Sequence, residues 1–348
     1  YDFAFLFKYL NVTNYMDRCG KVLQVCAMFA NLKLKFQDTY AFIPTKLSKF
    51  SSMFHLPVYK EFLPYDLYTQ KNVSKRYIDL NECFAYCDHQ YEKNAIGSLD
   101  PDHNQSQFRD LFLENAKKWD CYKKGKIDII EYSRRYCELD CDLLHDGFEK
   151  FKKMMYKITE LDVDEFVSIS SITYRYFLDE GVYDDVYMTA SHVLAFIQQC
   201  VRGGRTMCNS NKKAIFAGGK KKRLNDFDAV SLYPSAMERL GGYLKGKPKP
   251  FGSEMKFNEL KKYDGYFVEI VIDEVGKKLE FPLMSYKSKN GVVSFENKVE
   301  GKTMHVDKTT LEDLIKFQKI KFTIVRGYYF DEGRNYKLKE VIRYLFDE

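Results

Sequence analysis

The stretch Asn225-Asp-Phe-Asp-Ala-Val-Ser-Leu-Tyr-Pro-Ser-Ala-Met237 decides how the rest of the chain is read. Phe227 to Val230 is a short apolar run broken by one carboxylate, Asp228, and predicts a buried strand that delivers that acid to an edge. Ser231-Leu-Tyr-Pro then turns the chain, and Pro234 suits the first turn of a helix predicted over 235–240. An acid ending a strand beside a helix N-terminus can hold Mg²⁺ while backbone N–H groups face triphosphate oxygens. An amphipathic strand–helix corner with a solvated aspartate would account for Asp228 taken alone.

Composition frames this stretch. With 348 residues the chain has room for two or three domains with their own cores. A 45% hydrophobic content with 27 Tyr and 28 Phe excludes a disordered polyelectrolyte. The formal charge of +6 is compatible with a polyanionic partner and does not demonstrate one. No apolar run reaches membrane-spanning length, and no signal-peptide pattern is present. The nine cysteines form no CxxC unit; Cys83/Cys87 and Cys137/Cys141 lie one helical turn apart without histidines at ligand spacing. Reduced thiols in an intracellular compartment are favoured over zinc. The chain opens at Tyr1 without a methionine and stops at Glu348 in a charged helix, so we expect a piece of something longer.

Along the chain, Tyr1 to Leu10 reads as an apolar helix, Val22 to Phe29 as a buried strand, and Leu32, Leu34 and Phe36 as a half-exposed strand. Lys46 to Phe54 reads as helical and Leu56 to Lys60 as extended. Residues 66–130 look polar and irregular, with an exposed loop at Gly97 to Gln107. Tyr136 and Asp140 share one face of a predicted helix, and helices are expected over Asp142 to Ile158 and Asp164 to Leu178. Gly181-Val-Tyr-Asp-Asp-Val is read as an acidic turn. Paired glycines at Gly203 and Gly204, flanked by Arg202 and Arg205, would let a backbone or a phosphate approach closely. Lys220 to Arg223 is a charge run without P-loop spacing, either solvated or a DNA-backbone patch. Beyond 249, strands are expected at 266–273, 279–286, 292–295, 302–306 and 321–330. A capping box at Thr309/Glu312 should open a helix, and a last helix should run from Tyr336 to Phe346.

Asp228, Ser231, Leu232, Tyr233, Pro234 and Ser235 together resemble motif A of family B DNA polymerases. Such polymerases carry a 3′–5′ exonuclease whose second motif has an Asp after an aromatic and whose third is YxxxD. Tyr1-Asp2 and Tyr136/Asp140 are similar to those two, in the same order ahead of motif A. Asp38-Thr39-Tyr40 and Lys60, with Tyr65 following, resemble the single-strand-binding pair and catalytic lysine of the protein-primed subgroup, although Tyr40 stands where that subgroup has leucine. Val201-Arg202-Gly203-Gly204 resembles the YxGG element that grips the template, with Val201 replacing the aromatic.

The resemblance implies an α/β and α+β multidomain fold. Residues 1–150 would be the C-terminal part of an RNase H-like exonuclease domain, 151–200 a helical connection, 201–248 the start of a polymerase palm, and 249–348 a small αβ insertion between motifs A and B. It implies two Mg²⁺ (or Mn²⁺) ions per active site, held by Asp228 and the Val230 carbonyl in one and by Asp2 and Asp140 in the other. Tyr136 would orient the attacking water and Lys60 would contact the scissile phosphate. Ser231, Leu232 and Tyr233 would bind the nucleotide, with Tyr233 as steric gate. Thr39, Tyr40, Arg202, Gly203, Gly204 and Arg205 would bind DNA. Implied partners are primer-template DNA, dNTPs and a terminal priming protein, at an intracellular replication site of a virus or mobile element.

Nothing over 249–348 resembles KxxxNSxYG or DTD, and the DxE motif of the exonuclease would precede Tyr1. Each site thus has about half its ligands, because two divalent ions need several carboxylates. The isolated chain is expected neither to polymerise nor to degrade DNA at a useful rate. The alternative is a non-catalytic DNA-binding relic, or one subunit of a split polymerase whose second chain supplies motifs B and C. An exonuclease-only nuclease is weakened by the intact motif A.

Overall fold

In the computed structural model, which describes residues 5–18, 20–97, 105–205, 227–287 and 291–347, the chain divides into two units, residues 1–173 and 174–348. The first opens on an antiparallel meander, β1 (Asn11–Arg18), β2 (Lys21–Phe29) and β3 (Leu32–Gln37), with the apolar strand β2 in the middle and Val25 and Ala27 buried. Of the helix expected over residues 1–10, Phe5 and Leu6 are helical and continue into a 3₁₀ turn over Phe7–Tyr9, which leads into β1. Phe5 and Tyr9 are exposed there.

A short helix α1 (Phe50–Phe54) follows, ended by His55 in the left-handed region. Residues 66–130 correct the expectation of irregular chain. They hold α2 (Leu80–Gly97), α3 (Gln105–Lys118) and a small sheet of β4 (Tyr77–Asp79), β5 (Tyr122–Lys123) and β6 (Lys126–Asp128) in the order β4-β6-β5. Their apolar residues are few but helically spaced. Cys83 and Cys87 on α2 and Phe112 and Ala116 on α3 are four apart and wholly buried with Leu67, Ile127 and Tyr132. Burial pushes the Cys83 and Cys87 thiols up to about 12, as expected of core cysteines. Most of the Gly97–Gln107 loop lies outside the described residues, and α3 has already begun at Gln105.

The first unit is organised by α4 (Ile129–Thr159), one helix of 31 residues where two were expected. Asp128 caps it, accepting from the Glu131 amide at 3.1 Å while its other oxygen takes Arg76 Nε at 2.9 Å. Its first turn packs into the α2–α3 core, whereas Leu143 and Phe151 belong to a second cluster with Phe42, Phe50, Phe54 and Leu56. Gly147 lies directly under the Phe50 ring, so α1 seats on α4 where no side chain intervenes. Helix α5 (Ile169–Asp179) carries the chain into the second unit.

There, α6 (Ser191–Cys200) and α7 (Leu232–Arg239) precede the short strand β7 (Tyr243–Leu244). Next come β8 (Lys249–Phe251), α8 (Phe257–Leu260), β9 (Gly265–Val275) and the hairpin of β10 (Ser285–Lys287) with β11 (Val293–Phe295). The chain continues through β12 (Thr303–Asp307), α9 (Lys308–Asp313), β13 (Ile320–Phe330), β14 (Arg334–Asn335) and α10 (Lys337–Asp347). The main sheet is antiparallel in the order β12-β9-β13-β8. Tyr266, Val268, Ile270 and Ile272 of β9 face a core closed by Leu260, Met284, Leu311 and Leu314. The intervening residues, Glu269 among them, point to the other face.

Two expectations fail here for visible reasons. Only the end of 279–286 is a strand, because side-chain amides take the backbone groups that a ladder would use. Asn297 bonds both the amide and the carbonyl of Leu279, and buried Gln318 accepts from the amides of Leu283 and Met284. Helix α9 is capped not by Thr309 but by Asp307, which ends β12 and accepts from the Thr310 amide at 3.2 Å. The acidic turn of residues 181–186 is a turn: Asn335 Nδ2 donates to the carbonyls of Gly181 and Asp184, and Asp185 pairs with Lys245 at 2.7 Å. Gly242 (φ +82°) must be glycine, since a Cβ would lie 1.9 Å from the Asn335 carbonyl oxygen.

Candidate functional site

Helix α4 presents Tyr136 and Asp140 one turn apart, and the extended segment after α1 brings Lys60 to them. Lys60 Nζ lies 2.5 Å from Asp140 Oδ2 and 4.8 Å above the centre of the Tyr136 ring. The Tyr136 hydroxyl is 2.7 Å from that of Tyr65, whose ring meets it edge-on at 6.4 Å. The segment is held in place locally: the Ser51 hydroxyl donates to the Val58 carbonyl, and the Tyr132 hydroxyl donates to the Phe62 carbonyl at 2.7 Å. Eighty residues separate Lys60 from Asp140, so tertiary packing of this segment and of α1 on α4 unites them.

The electrostatics of the cluster are lopsided. Asp140 Oδ2 is matched by the ammonium, while Oδ1 is buried with no hydrogen-bond partner among the described residues. An unmatched buried carboxylate oxygen costs on the order of 1–3 kcal/mol or more unless a cation or donor reaches it. Burial first, then the Tyr65 hydroxyl and the Asp140 charge, push the Tyr136 phenol far above its ordinary range. Tyr136 therefore stays protonated and serves as a hydrogen-bonding group, not a base. The residue missed by sequence reasoning is Tyr65, noted only for its spacing from Lys60; its hydroxyl contact spans 71 residues.

Thr39 and Tyr40 stand at a 3₁₀ turn over Thr39–Ala41, capped by Asp38, whose carboxylate accepts from the Tyr40 amide at 2.9 Å. The next aromatic, Phe42, packs on Phe148 of α4 at 5.7 Å. That anchor is eight residues along the helix from Asp140, about 12 Å at 1.5 Å per residue. Tyr40 is half exposed. Asp2 lies outside the described residues, as do Lys220 to Arg223.

In the second unit, the motif-A stretch departs from its expected form. Residues 227–230 form no strand, and Phe227 and Val230 are 89% and 86% exposed. An apolar run becomes a strand only beside a hydrogen-bonding neighbour, and none of the described strands pairs with it. Asp228 is exposed and accepts from the Ala229 amide. Ser231, in the left-handed region at φ +49°, stands before α7, which starts at Leu232, and Pro234 falls in its first turn as expected. Leu232 and Tyr233 are exposed, the latter 80%. Arg343 of α10 anchors α7 through Glu238 at 2.7 Å.

After α6, Gly203 and Gly204 have open space where side chains would be. Arg205 donates to the Pro282 carbonyl and lies over Phe295 at 4.7 Å. Arg202 bonds the Val201 carbonyl through Nη1, while its Nε is buried without a partner among the described residues. The structure thus assembles Lys60, Tyr136 and Asp140 in the first unit. Asp228 lies on the exposed stretch before α7 and Tyr233 in the first turn of that helix, and the two arginines sit on the glycine element.

Residues 1–342 match the family described as DNA polymerase type B, organellar and viral. Proteins named "Probable DNA polymerase" are similar to this chain: one from Ascobolus immersus, 26% identical over 234 residues (63% of this chain, 17% of that protein), and one from Neurospora intermedia, 24% over 228 residues (64% and 21%). A DNA polymerase of Bovine adenovirus 2 is 21% identical over 250 residues, 66% of this chain and 22% of that protein. The chain therefore spans about a fifth of the length of these relatives. Among solved structures, Phi29 DNA polymerase complexed with primer-template DNA and incoming nucleotides shares the fold, with a TM-score of 0.52 at 16% identity, over 96% of this chain and 48% of that one. The match over nearly its whole length places this chain in the organellar and viral type B DNA polymerase family.

Proposed function

We propose that the chain is part of a DNA-directed DNA polymerase with a 3′–5′ proofreading exonuclease, of the protein-primed kind. The observation that carries this reading is the cluster of Lys60, Asp140, Tyr136 and Tyr65, built from residues 71 to 80 positions apart around one carboxylate oxygen that has no partner among the described residues. That oxygen fits a divalent cation. Asp140, with Asp2, would hold Mg²⁺ or Mn²⁺ in the exonuclease site, and Asp228 with the Val230 carbonyl would do so in the polymerase site. The ions, when bound, supply charge neutralisation at the transferred phosphate. Lys60 sits where an ammonium can exchange the carboxylate for a phosphate oxygen, and the protonated Tyr136 hydroxyl can hold a water in a fixed direction.

In this assignment residues 1–150 belong to an RNase H-like exonuclease domain, 201–248 to the palm, and 249–348 to an insertion that meets a priming protein and DNA. Tyr233, exposed at the start of α7, is available to a sugar and serves as the gate against ribonucleotides. The substrates are primer-template DNA and dNTPs, at the replication site of a virus or mobile element. The test is degradation of a 3′-labelled single strand by the full-length polypeptide. Lys60→Ala should slow degradation at least tenfold while primer extension persists. Equal degradation by Lys60→Ala would remove the exonuclease assignment. Mg²⁺-dependent nucleotide incorporation by the isolated 348-residue chain would refute the view that it holds only part of each site.

A further inference from the structure

The Tyr65 hydroxyl sits 2.7 Å from that of Tyr136, yet the Tyr65 side chain is 58% exposed, so packing does little to hold it there. Its place must come from the backbone. Tyr65 opens a 3₁₀ turn over Tyr65–Leu67, and Pro64 before it has neither a side chain that can cap the turn nor an N–H to donate. The chain is pinned on both sides of this point. The Phe62 carbonyl accepts from the Tyr132 hydroxyl at 2.7 Å, and Leu67 is wholly buried in the α2–α3 core. Between these anchors one side chain spans the proline. Gln90 of α2 accepts from the Tyr65 amide through Oε1 at 2.8 Å and donates from Nε2 to the Leu63 carbonyl at 3.2 Å.

The position of Gln90 on its helix makes this contact informative. Cys83 and Cys87 lie in the core, and Gln90 follows at the i, i+4, i+7 spacing of one apolar stripe. A carboxamide interrupts that stripe where the backbone around Pro64 needs an acceptor and a donor together, and a Gln side chain supplies both. The preceding residue adds a second tie, since His89 Nδ1 lies 2.8 Å from Asp66 Oδ2. That pair lies at the surface, where such contacts hold a segment weakly. Without Gln90 the Tyr65 amide loses its acceptor and the Leu63 carbonyl its donor. A drift of roughly 1 Å at Tyr65 is then enough to break the hydroxyl contact, because hydrogen bonds fail by about 3.6 Å. Tyr136 would keep its place on α4 and lose the partner that fixes the direction of its hydroxyl.

We propose that Gln90 is a positioning residue of this site: through the turn at Pro64 it sets the Tyr65 hydroxyl against Tyr136, and so fixes the direction in which Tyr136 presents its own hydroxyl to a water. The catalytic consequence rests on the exonuclease reading; the placing of Tyr65 does not. The first variant is Gln90→Met, which keeps the length of the side chain and removes both hydrogen bonds. In the 348-residue chain the Tyr65 amide should then exchange with solvent about fivefold or more faster, as loss of one hydrogen bond predicts. Gln90→Glu, which keeps the acceptor, should restore most of that protection. In the full-length polypeptide, Gln90→Met should slow degradation of a 3′-labelled single strand about tenfold in kcat, with KM nearly unchanged. Tyr65→Phe should slow it similarly, and the double variant should be little slower than Tyr65→Phe alone, because both changes break one chain of contacts. Should Gln90→Met fail to fold, Gln90→Asn, too short to reach both groups, should give the same pair of effects. Full additivity of the Gln90 and Tyr65 losses would overturn the proposal, as would unchanged exchange at the Tyr65 amide. Failure of the exonuclease reading would look different, as absent degradation by the unsubstituted polypeptide with the exchange effect at Tyr65 intact.

Discussion

Replacing Gly147 with alanine tests whether α1 holds the Lys60 segment against α4. The new Cβ would lie 2.5 Å from Phe50 Cδ2, 3.2 Å from Cε2 and 3.4 Å from Cγ. Carbon atoms rest at about 3.5–4.0 Å, so the ring edge must retreat by roughly 1 Å. It has little room to do so: Phe50 is 2% exposed, meets Phe54 edge-on at 5.4 Å and belongs to the cluster of Leu143, Phe151 and Ile172. Alanine gains about 1 kcal/mol of helix propensity over glycine, while overpacking costs ~1–3 kcal/mol, leaving a net loss of up to about 2 kcal/mol. The assay is urea unfolding followed by Trp119, the single tryptophan, which packs at 4.8 Å on Tyr132 of the same unit. The midpoint should fall with an unchanged slope. Adding Phe50→Leu should recover part of the loss, giving a coupling of about 1 kcal/mol between the two sites. A midpoint raised by the propensity gain, with no coupling to Phe50, would refute this account of how Lys60 is placed.

Three further outcomes follow from the second unit. On the proposed polymerase reading, Tyr233→Ala should raise ribonucleotide incorporation with little change in stability, because the side chain is 80% exposed; unchanged sugar discrimination would remove the gate role. Gln318→Leu should strip the acceptor from the Leu283 and Met284 amides at a cost of about 2–3 kcal/mol, seen as faster hydrogen exchange at those two amides, and unaltered exchange would contradict the assignment. His305 is held below its ordinary range by burial first, then by Arg202 and Arg326, against the opposing pull of Glu269. The unfolded chain thus binds a proton that the folded one resists. Stability from this group is fully present above about pH 6.5 and is lost as pH falls through that value toward the depressed folded pKa. Exchange of the β9 and β12 amides should accelerate over this window, and His305→Gln should flatten the dependence.

What could be seen in the sequence divides by the distance over which residues must cooperate. The strands β2, β9, β12 and β13 announce themselves by their own apolar patterns, and α4 by Tyr136 and Asp140 on one face, because each pattern is local. Helices α2 and α3 were hidden because a handful of core residues, such as Cys83, Cys87, Phe112 and Ala116, suffice when most of the helix faces solvent. The opposite error arose at 227–230, where an apolar run suggests a buried strand and the described structure pairs no strand with it.

The chemistry obeys the same division. Asp140 can be picked out as a candidate acid from its helix spacing, but its two oxygens differ only because Lys60, eighty residues earlier, reaches one of them. Gln90 is unremarked in the sequence, a polar residue on a helix that its own pattern hides. It gains meaning only when α2 sets its carboxamide against the turn before Tyr65. At Asp140 the informative feature is a polar atom that the fold buries and leaves unmatched among the described residues. Such an atom raises the free energy of the folded chain unless something outside the described residues satisfies it, and that makes it a better guide to a ligand than the identity of its residue.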